Sequence, residues 1–475
     1  MTNFFMRTYG CQMNERDSEK MTGLLTQAGF TRTDSQETAD IIIYNTCCVR
    51  ESAEDKIFGH LSHLKSLKEK QPLIIAVGGC MTQQENIAEL IQKKHKYVDI
   101  IFGTANRTRL VEFLRRVIEN GERVVDISDD GGEFPEISGI PVTTREFPHK
   151  AGVNIMYGCD NFCSYCIVPY VRGREKSRPR ADIIEEITAL AEDGVKEIML
   201  LGQNVNSYTG AQPLSTDDAS TNPTVRLEAG AQPLSTDDTS TSPTVRLEAG
   251  SASFPELLRS VSEISGIARI RFMTSHPKDF SPALIAAIRD LPKVCKHVHL
   301  PLQSGSSRIL ADMNRHYTKE DYIALAAKLQ AEIPNIALST DIIVGYPGET
   351  EEDFADTMDV VRQVQFSGAF TFIYSKRSGT PAAERTDLVE RKVSNERFDR
   401  LIAELYPIMT RKNEAKIGEI LEVMVEDATS GAYKARADDH TLVHFVSDKN
   451  FLQGDIVPVK IETAKAFYTT GTHNK

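Results

Sequence analysis

The stretch VNIMYGCDNFCSYC, residues 153–166, decides the fold. Residues 153–157 form a short apolar run. A glycine follows, and then Cys159, Cys163 and Cys166 in a C-x3-C-x2-C spacing. A strand that runs into a ligand-bearing loop is how a β/α unit presents chemistry. Outward from it the alternation repeats, with strand-like runs at 195–201, 268–274, 294–300, 336–344 and 369–374 and helical patterns between them. In one such pattern Ile183, Ile184, Ile187, Leu190 and Ala191 share a face, with Asp182 the expected N-cap and Gly194 the expected stop. Six units predict a partial (β/α)6 barrel over 145–380.

Upstream, residues 1–120 alternate strands at 3–8, 41–45 and 73–77 with helices at 13–28, 54–68 and 107–119. That order predicts a parallel, Rossmann-like α/β domain. Residues 121–144 form an Asp-, Gly- and Pro-bearing linker. Residues 381–410 form a helical connector, and the runs at 419–425, 441–445 and 456–461 predict a small antiparallel β-barrel over 411–475. The fold class is therefore α/β throughout, with an all-β end. Residues 211–250 break the pattern. They hold two copies of a 20-residue unit identical at 18 positions, with no hydrophobic face, and read as a disordered insertion.

The chain has 475 residues, 40% hydrophobic and 26% charged, with a net charge of −12, of which −4 lies in the insertion. This composition excludes a fibrous or wholly disordered chain. No run approaches the ~18 apolar residues of a membrane span, and MTNFFMRTYGCQMN lacks a signal-peptide core, so a cytoplasmic location is expected. The acidic total argues against a surface covered in basic charge and leaves room for local patches.

Eight cysteines in such a chain point to metal or redox chemistry rather than disulfides. Three thiolates on one tight loop can hold three corners of a cubane iron–sulfur cluster. No fourth cysteine follows at a ferredoxin-like spacing, which leaves one iron open. The bland reading, a structural zinc site, wants four closing ligands. Cys11, Cys47 and Cys80 share a different placement: each follows a strand of the first domain, in TYGCQMN, YNTCCVRE and VGGCMTQ. In a parallel sheet these positions meet at the carboxyl edge, where ligand sites form. Cys48, beside Cys47, and Cys295 read as buried core residues.

The C-x3-C-x2-C loop, with Tyr165 before its third cysteine, resembles the radical SAM superfamily. Together with the three spaced cysteines and a small β domain it resembles the methylthiotransferases, over nearly the whole chain outside the insertion. TYGCQMNERDSE, NTCCVRESAEDK, RFMTSHP, PLQSGS and MNRHYT resemble the tRNA branch most. The resemblance implies two [4Fe–4S] clusters and two S-adenosylmethionine (SAM) molecules per turnover. One SAM methylates a sulfur at the auxiliary site, and the other yields the radical that removes hydrogen from C2 of a prenylated adenosine at tRNA position 37. No acid–base residue is implied. Tyr165, Gln203, Asn204, Ser275, His276, Gln303, Ser304 and Asp341, most of them at strand ends, are the implied SAM-binding set.

Arg172, Arg174 and Lys176, in a basic run that includes Arg178 and Arg180, are candidate RNA contacts. The C-terminal region resembles the TRAM domain, with Arg411, Lys412, Lys434, Arg436, Lys465, Phe467 and Tyr468 as its candidate RNA face. The implied partners are an anticodon stem-loop carrying the prenylated adenosine and an electron donor such as flavodoxin or ferredoxin, with no membrane and a monomeric enzyme. Rival readings are a methylthiotransferase for threonylcarbamoyladenosine tRNA or a ribosomal-protein aspartate, and an RNA-binding protein whose clusters are structural.

Overall fold

The computed structural model describes residues 2–48, 51–127, 145, 147–210, 252–429 and 431–474. The insertion and most of the expected linker lie outside the described residues.

The first domain runs β1 (Asn3–Thr8), α1 (Gln12–Gln27), β2 (Thr31–Arg32), β3 (Ile41–Thr46), α2 (Glu51–Lys68), β4 (Ile74–Gly79), α3 (Glu85–Lys94), β5 (Ile100–Phe102), α4 (Leu110–Asn120) and β6 (Val124–Asp126). Its six strands are all parallel, in the order β2-β1-β3-β4-β5-β6. Every residue of β3 is buried, as a strand covered on both faces must be. Ile42 and Tyr44 enter the core on one side of the sheet, and Ile41 and Ile43 the core on the other. The domain runs past the expected boundary at 120. The three residues of β6 are too few to show a period, yet they pair with β5.

The second domain begins with β7 (Lys150–Asn154) and β8 (Met156–Tyr157) and continues through α5 (Val168–Arg172), β9 (Lys176–Ser177), α6 (Arg180–Glu192) and β10 (Glu197–Leu201). There follow β11 (Thr209–Gly210), β12 (Ala252–Ser253), α7 (Phe254–Ser262), β13 (Arg269–Phe272), α8 (Pro282–Asp290) and β14 (His297–His299). It ends with α9 (Ser307–Asp312), α10 (Lys319–Glu332), β15 (Ala337–Val344), α11 (Glu351–Val364) and β16 (Gly368–Ile373). β7, β10 and β13 pair in parallel, as do β14, β15 and β16, and a parallel bridge between Ile270 and Val294 joins the two halves. All six expected barrel strands are present. Ile198, Leu200, Ile270, Val298, Leu338 and Ile342 pack into the main hydrophobic core. By the two-residue period of a strand, Glu197, Arg271, His297, His299, Ser339 and Asp341 stand on the opposite face together with Met199, Leu201 and Ile343, so the inner face of the barrel mixes polar and apolar groups. β11 and β12 pair antiparallel where the chain leaves for the insertion and returns.

Helix α12 (Arg391–Glu414) runs past the expected boundary at 410 and carries Pro407 within it. The last domain is a closed barrel of β17 (Ile420–Thr429), β18 (Ala432–Ala437), β19 (Leu442–Val446), β20 (Ile456–Ala464) and β21 (Thr469–His473), in the order β17-β18-β19-β21-β20. Four neighbouring pairs are antiparallel, as expected, and β19–β21 is parallel. A closed ring with an odd number of strands cannot alternate direction throughout. This barrel docks on the second domain: Arg269 donates to the carbonyls of Arg436 and Glu422, and Arg271 to those of Ala437 and Asp438. No described helix is long and apolar enough to cross a membrane.

Candidate active site at the domain interface

The C-x3-C-x2-C loop leaves β8 and is held from several sides. Cys166 N–H donates to the Cys163 carbonyl (2.9 Å), and Cys159 N–H to the Gly173 carbonyl (3.1 Å). Asn314 Nδ2 donates to the carbonyls of Asn161 (3.0 Å) and Phe162 (3.1 Å). These bonds hold Phe162 at φ 44°, in the left-handed region. Arg315 donates Nη1 to Cys163 Sγ (3.5 Å), Nη2 to the Pro301 carbonyl and Nε to the Tyr317 hydroxyl. Asn314 and Arg315 belong to MNRHYT, a stretch that the sequence singles out without giving its residues a role. Burial pushes the Cys159 thiol up to about 11 and the Cys166 thiol up to about 12. Positively charged iron supplies what these thiols need to ionise, and its binding would release their protons.

Cys11, Cys47 and Cys80 follow β1, β3 and β4, three adjacent parallel strands, so the sheet brings all three to one edge. Cys47, Cys48 and Cys80 are buried, and Cys11 is exposed at the start of α1. Gly10 has φ +113°, and a Cβ there would lie 2.3 Å from Cys47 Cβ. Asn14 braces the edge by donating to the carbonyls of Tyr9 and Thr46, both at 2.8 Å. Hydrogen bonding from Cys48 and the charge of Arg172 hold the Cys80 thiol down to about 6 against its burial.

Among the described residues, no three His, Cys, Asp or Glu side chains close on one point as ligands of a single ion do. A cubane spreads three cysteines over three irons, which needs a wider stance. Arg172 Nη1, on the guanidinium that touches Cys80, is a buried donor without a partner. Such a donor costs ~1–3 kcal/mol, and the sulfurs of a cluster are acceptors for it. The thiol sets fit such clusters at both sites.

Beside the loop lies a cavity of about 500 Å³, lined by Tyr165, Cys166, Gln303, Asp341, Phe372 and Arg377 among others. Of the expected SAM contacts, Tyr165, Gln303 and Asp341 line it, and the other five do not. Asn204 is buried in a strand-end turn, where it donates to Asp279 (2.7 Å) and accepts from His276 N–H (3.1 Å). Ser304 accepts from Ser306 N–H in a second turn. Gln203 Oε1, Ser275 Oγ and His276 Nε2 are buried without a hydrogen-bond partner. Phe372, Tyr374, Arg377, Arg391 and Phe398 also line the cavity and carry no signal in local sequence patterns.

Two expected RNA contacts are corrected. Arg172 is 4% exposed and turned into the domain interface, where it donates to Cys80 Sγ (3.2 Å), Asn14 Oδ1 (2.6 Å) and Asp17 Oδ2 (3.1 Å). Arg436 holds Glu426 (2.9 Å) and donates to the His440 carbonyl, between the last barrel and the second domain. Both follow from chain segments wedged between domains, where a guanidinium satisfies carboxylates and carbonyls. Arg178 turns inward likewise, to Glu186 (2.6 Å). Arg174 is exposed over the Phe162 ring (4.9 Å), and Lys176, Arg411 and Lys434 are exposed. Phe467 is 58% exposed and meets Tyr406 edge-on at 5.1 Å.

The model of uncharacterized protein family UPF0004 matches residues 3–103, and that of the Radical SAM superfamily matches residues 153–361. A tRNA-2-methylthio-N(6)-dimethylallyladenosine synthase from Acetivibrio thermocellus is 46% identical over 99% of this chain and 90% of its own length. One from Clostridium tetani is 48% identical over 98% and 95%. Among solved structures, a radical S-adenosylmethionine methyltransferase from Kitasatospora setae shares the fold at TM-score 0.52, with 15% identity over 81% of this chain and 75% of that one. With its cysteine loops at the carboxyl ends of two parallel sheets, the chain belongs to the tRNA-2-methylthio-N(6)-dimethylallyladenosine synthase family, within the radical SAM superfamily.

Proposed function

We propose that the protein adds a methylthio group to C2 of N6-(dimethylallyl)adenosine at tRNA position 37. The near full-length identity to synthases of that name carries this reading. The two three-cysteine loops on neighbouring domains support it. Adenine C2–H has no acidic proton, so a general base is of little use there. Cys159, Cys163 and Cys166 would hold a [4Fe–4S] cluster, which would supply the electron for cleaving SAM, and Cys11, Cys47 and Cys80 would hold a second, which would supply the sulfur to be transferred.

The chain's own residues do the rest. Tyr165, Gln303 and Asp341 offer polar groups to SAM beside Cys166, with the unpartnered atoms of Gln203, Ser275 and His276 as further candidates. Phe372, Tyr374 and Phe398 give the cavity apolar walls that keep water from a radical. Arg377 and Arg391 bring positive charge for phosphates. Phe467, Tyr406, Arg411 and Lys434 on the last barrel and its connecting helix are the proposed RNA face. The proposal includes two SAM per turnover, a flavodoxin or ferredoxin as donor, and a monomer in the cytoplasm.

The test is genetic and chemical. Nucleosides from tRNA of a strain lacking this gene, with and without a plasmid copy, are analysed by mass spectrometry. The 2-methylthio derivative should vanish on deletion and return with the plasmid. Its persistence in the deletion strain refutes the proposal.

A further inference from the structure

Six residues after the last cysteine of the C-x3-C-x2-C loop, the chain has already crossed to the other cysteine site. Helix α5 starts two residues after Cys166 and ends at Arg172. Its five residues span ~7.5 Å at 1.5 Å per residue. Ile167 and Val171, at its two ends, pack against Cys48 and Cys80 of the first domain. Thr104, also of the first domain, donates its hydroxyl to the Val171 carbonyl (2.8 Å). One short helix is thus seated with a radical-loop cysteine at its start and an auxiliary cysteine at its end.

We infer that Arg172 is a positioning residue for the auxiliary site, carried across the domain interface by α5 to set the charge at Cys80 and its distance from the radical-generating loop. The inference rests on the proposed function for the use of that site. Three contacts fix the guanidinium: Nε to Cys80 Sγ (3.2 Å), and Nη2 to Asn14 Oδ1 (2.6 Å) and Asp17 Oδ2 (3.1 Å). Nη1 remains as a buried donor on the same group.

A merely structural ion pair does not need this arrangement. Asp17 already has a second cation, Arg107 at 3.3 Å, and an N–H aimed at sulfur adds nothing to that pair. Arg315 offers a comparison inside the chain, since it donates to Cys163 at 3.5 Å. Each cysteine loop thus has a buried arginine on one of its sulfurs. Arg315 comes from the same barrel as its cysteine, whereas Arg172 comes from the other domain. Hydrogen bonds to cluster sulfurs, and a cation beside them in a site of low dielectric, favour the more negative, reduced state. Outer partners of this kind also orient the ligands they touch.

The test uses the full chain with Cys159, Cys163 and Cys166 replaced by Ala, so that iron loads only at the auxiliary site. After anaerobic reconstitution, iron and sulfide are counted and the midpoint potential is read by a titration followed by electron paramagnetic resonance. Arg172→Met should load as the parent does and titrate at a more negative potential, and Arg172→Lys should fall between them. In the complementary Cys11, Cys47, Cys80→Ala chain, Arg172→Met should leave the potential of the radical site unmoved. With all cysteines present, Arg172→Met should yield more 5′-deoxyadenosine per methylthiolated product. An unchanged auxiliary potential in a fully loaded Arg172→Met, or equal shifts at both sites, overturns the inference. If Arg172→Met does not load, Arg172→Lys decides, and a potential equal to the parent's overturns it. Absence of methylthiolation in the parent would refute the proposed function and leave this measurement standing.

Discussion

Cys47 and Cys48 are adjacent and both buried, yet they touch different neighbours. Cys47 lies against Gly10, where even a methyl group would collide with it, and so beside the turn that presents Cys11. Cys48 packs with Cys80, Ile167 and Val171. Cys47 is thus the one of the two that lies beside the Cys11 turn, while Cys48 lies toward α5. We expect Cys47→Ala to lose the iron of the auxiliary site and Cys48→Ala to keep it, at a packing cost of ~1 kcal/mol. Iron and sulfide per chain read the difference, and the reverse result would move the ligand to Cys48. The cysteines themselves are legible because chemistry fixes their spacing and strand order fixes their edge. Their second layer is not. Arg172 and Arg315 each reach a sulfur more than 90 positions away in one case and 152 in the other. In sequence Arg172 is one member of a basic run, and only the domain interface tells it from its exposed neighbour Arg174.

At the scale of elements, long and strongly patterned segments are legible, and short ones are not. Four of the six barrel strands fall within the expected runs, and β7 and β16 overlap theirs but begin three residues and one residue earlier. The three-residue strands β5 and β6 hold too few positions to show a period, and their pairing is supplied by the neighbouring strand. The insertion is best judged from its stem. β11 and β12 pair Thr209 with Ser253 and Gly210 with Ala252, so the two ends of the 40-residue repeat are neighbours whatever lies between them. Replacing 211–250 by a four-residue turn should therefore leave the barrel strands in register. It shortens the loop about tenfold, which lowers its closure cost by ~2 kcal/mol. The expected outcome is a melting temperature equal to or above that of the parent, with methylthiolation retained. Loss of most activity in a folded deletion variant would show that the repeat takes part in the reaction.

The whole molecule is held together at both domain junctions by buried polar groups, and one junction carries a pH dependence. His440 of the last barrel stacks on His297 of the second domain at 4.6 Å and 19°. The Ser339 hydroxyl lies 2.9 Å from His297 Nε2 and 3.0 Å from His299 Nδ1, and His299 Nε2 faces Asp341 at 3.4 Å. The row is complete when His297 donates to Ser339, Ser339 to His299, and His299 to Asp341. Burial, with Arg436, Arg271 and Lys150 nearby, pushes His440 down to about 2, and burial beside His440 and Arg271 pushes His297 well down. Asp439 opposes the shift at His297. Both folded values lie below the ordinary ~6.5 of an exposed histidine. The undocked state therefore binds more protons at acid pH, and docking is fully stable above ~6.5 and weakens below it, by up to ~1.4 kcal/mol per pH unit for each ring. His440 sits at φ 72°, a conformation that asparagine tolerates. The melting temperature of the parent should fall between pH 7 and pH 5.5, and His440→Asn should flatten that fall while keeping the fold. If the two chains lose stability in parallel over this range, the stacked pair is not the group that titrates, and the acid sensitivity belongs to another part of the molecule.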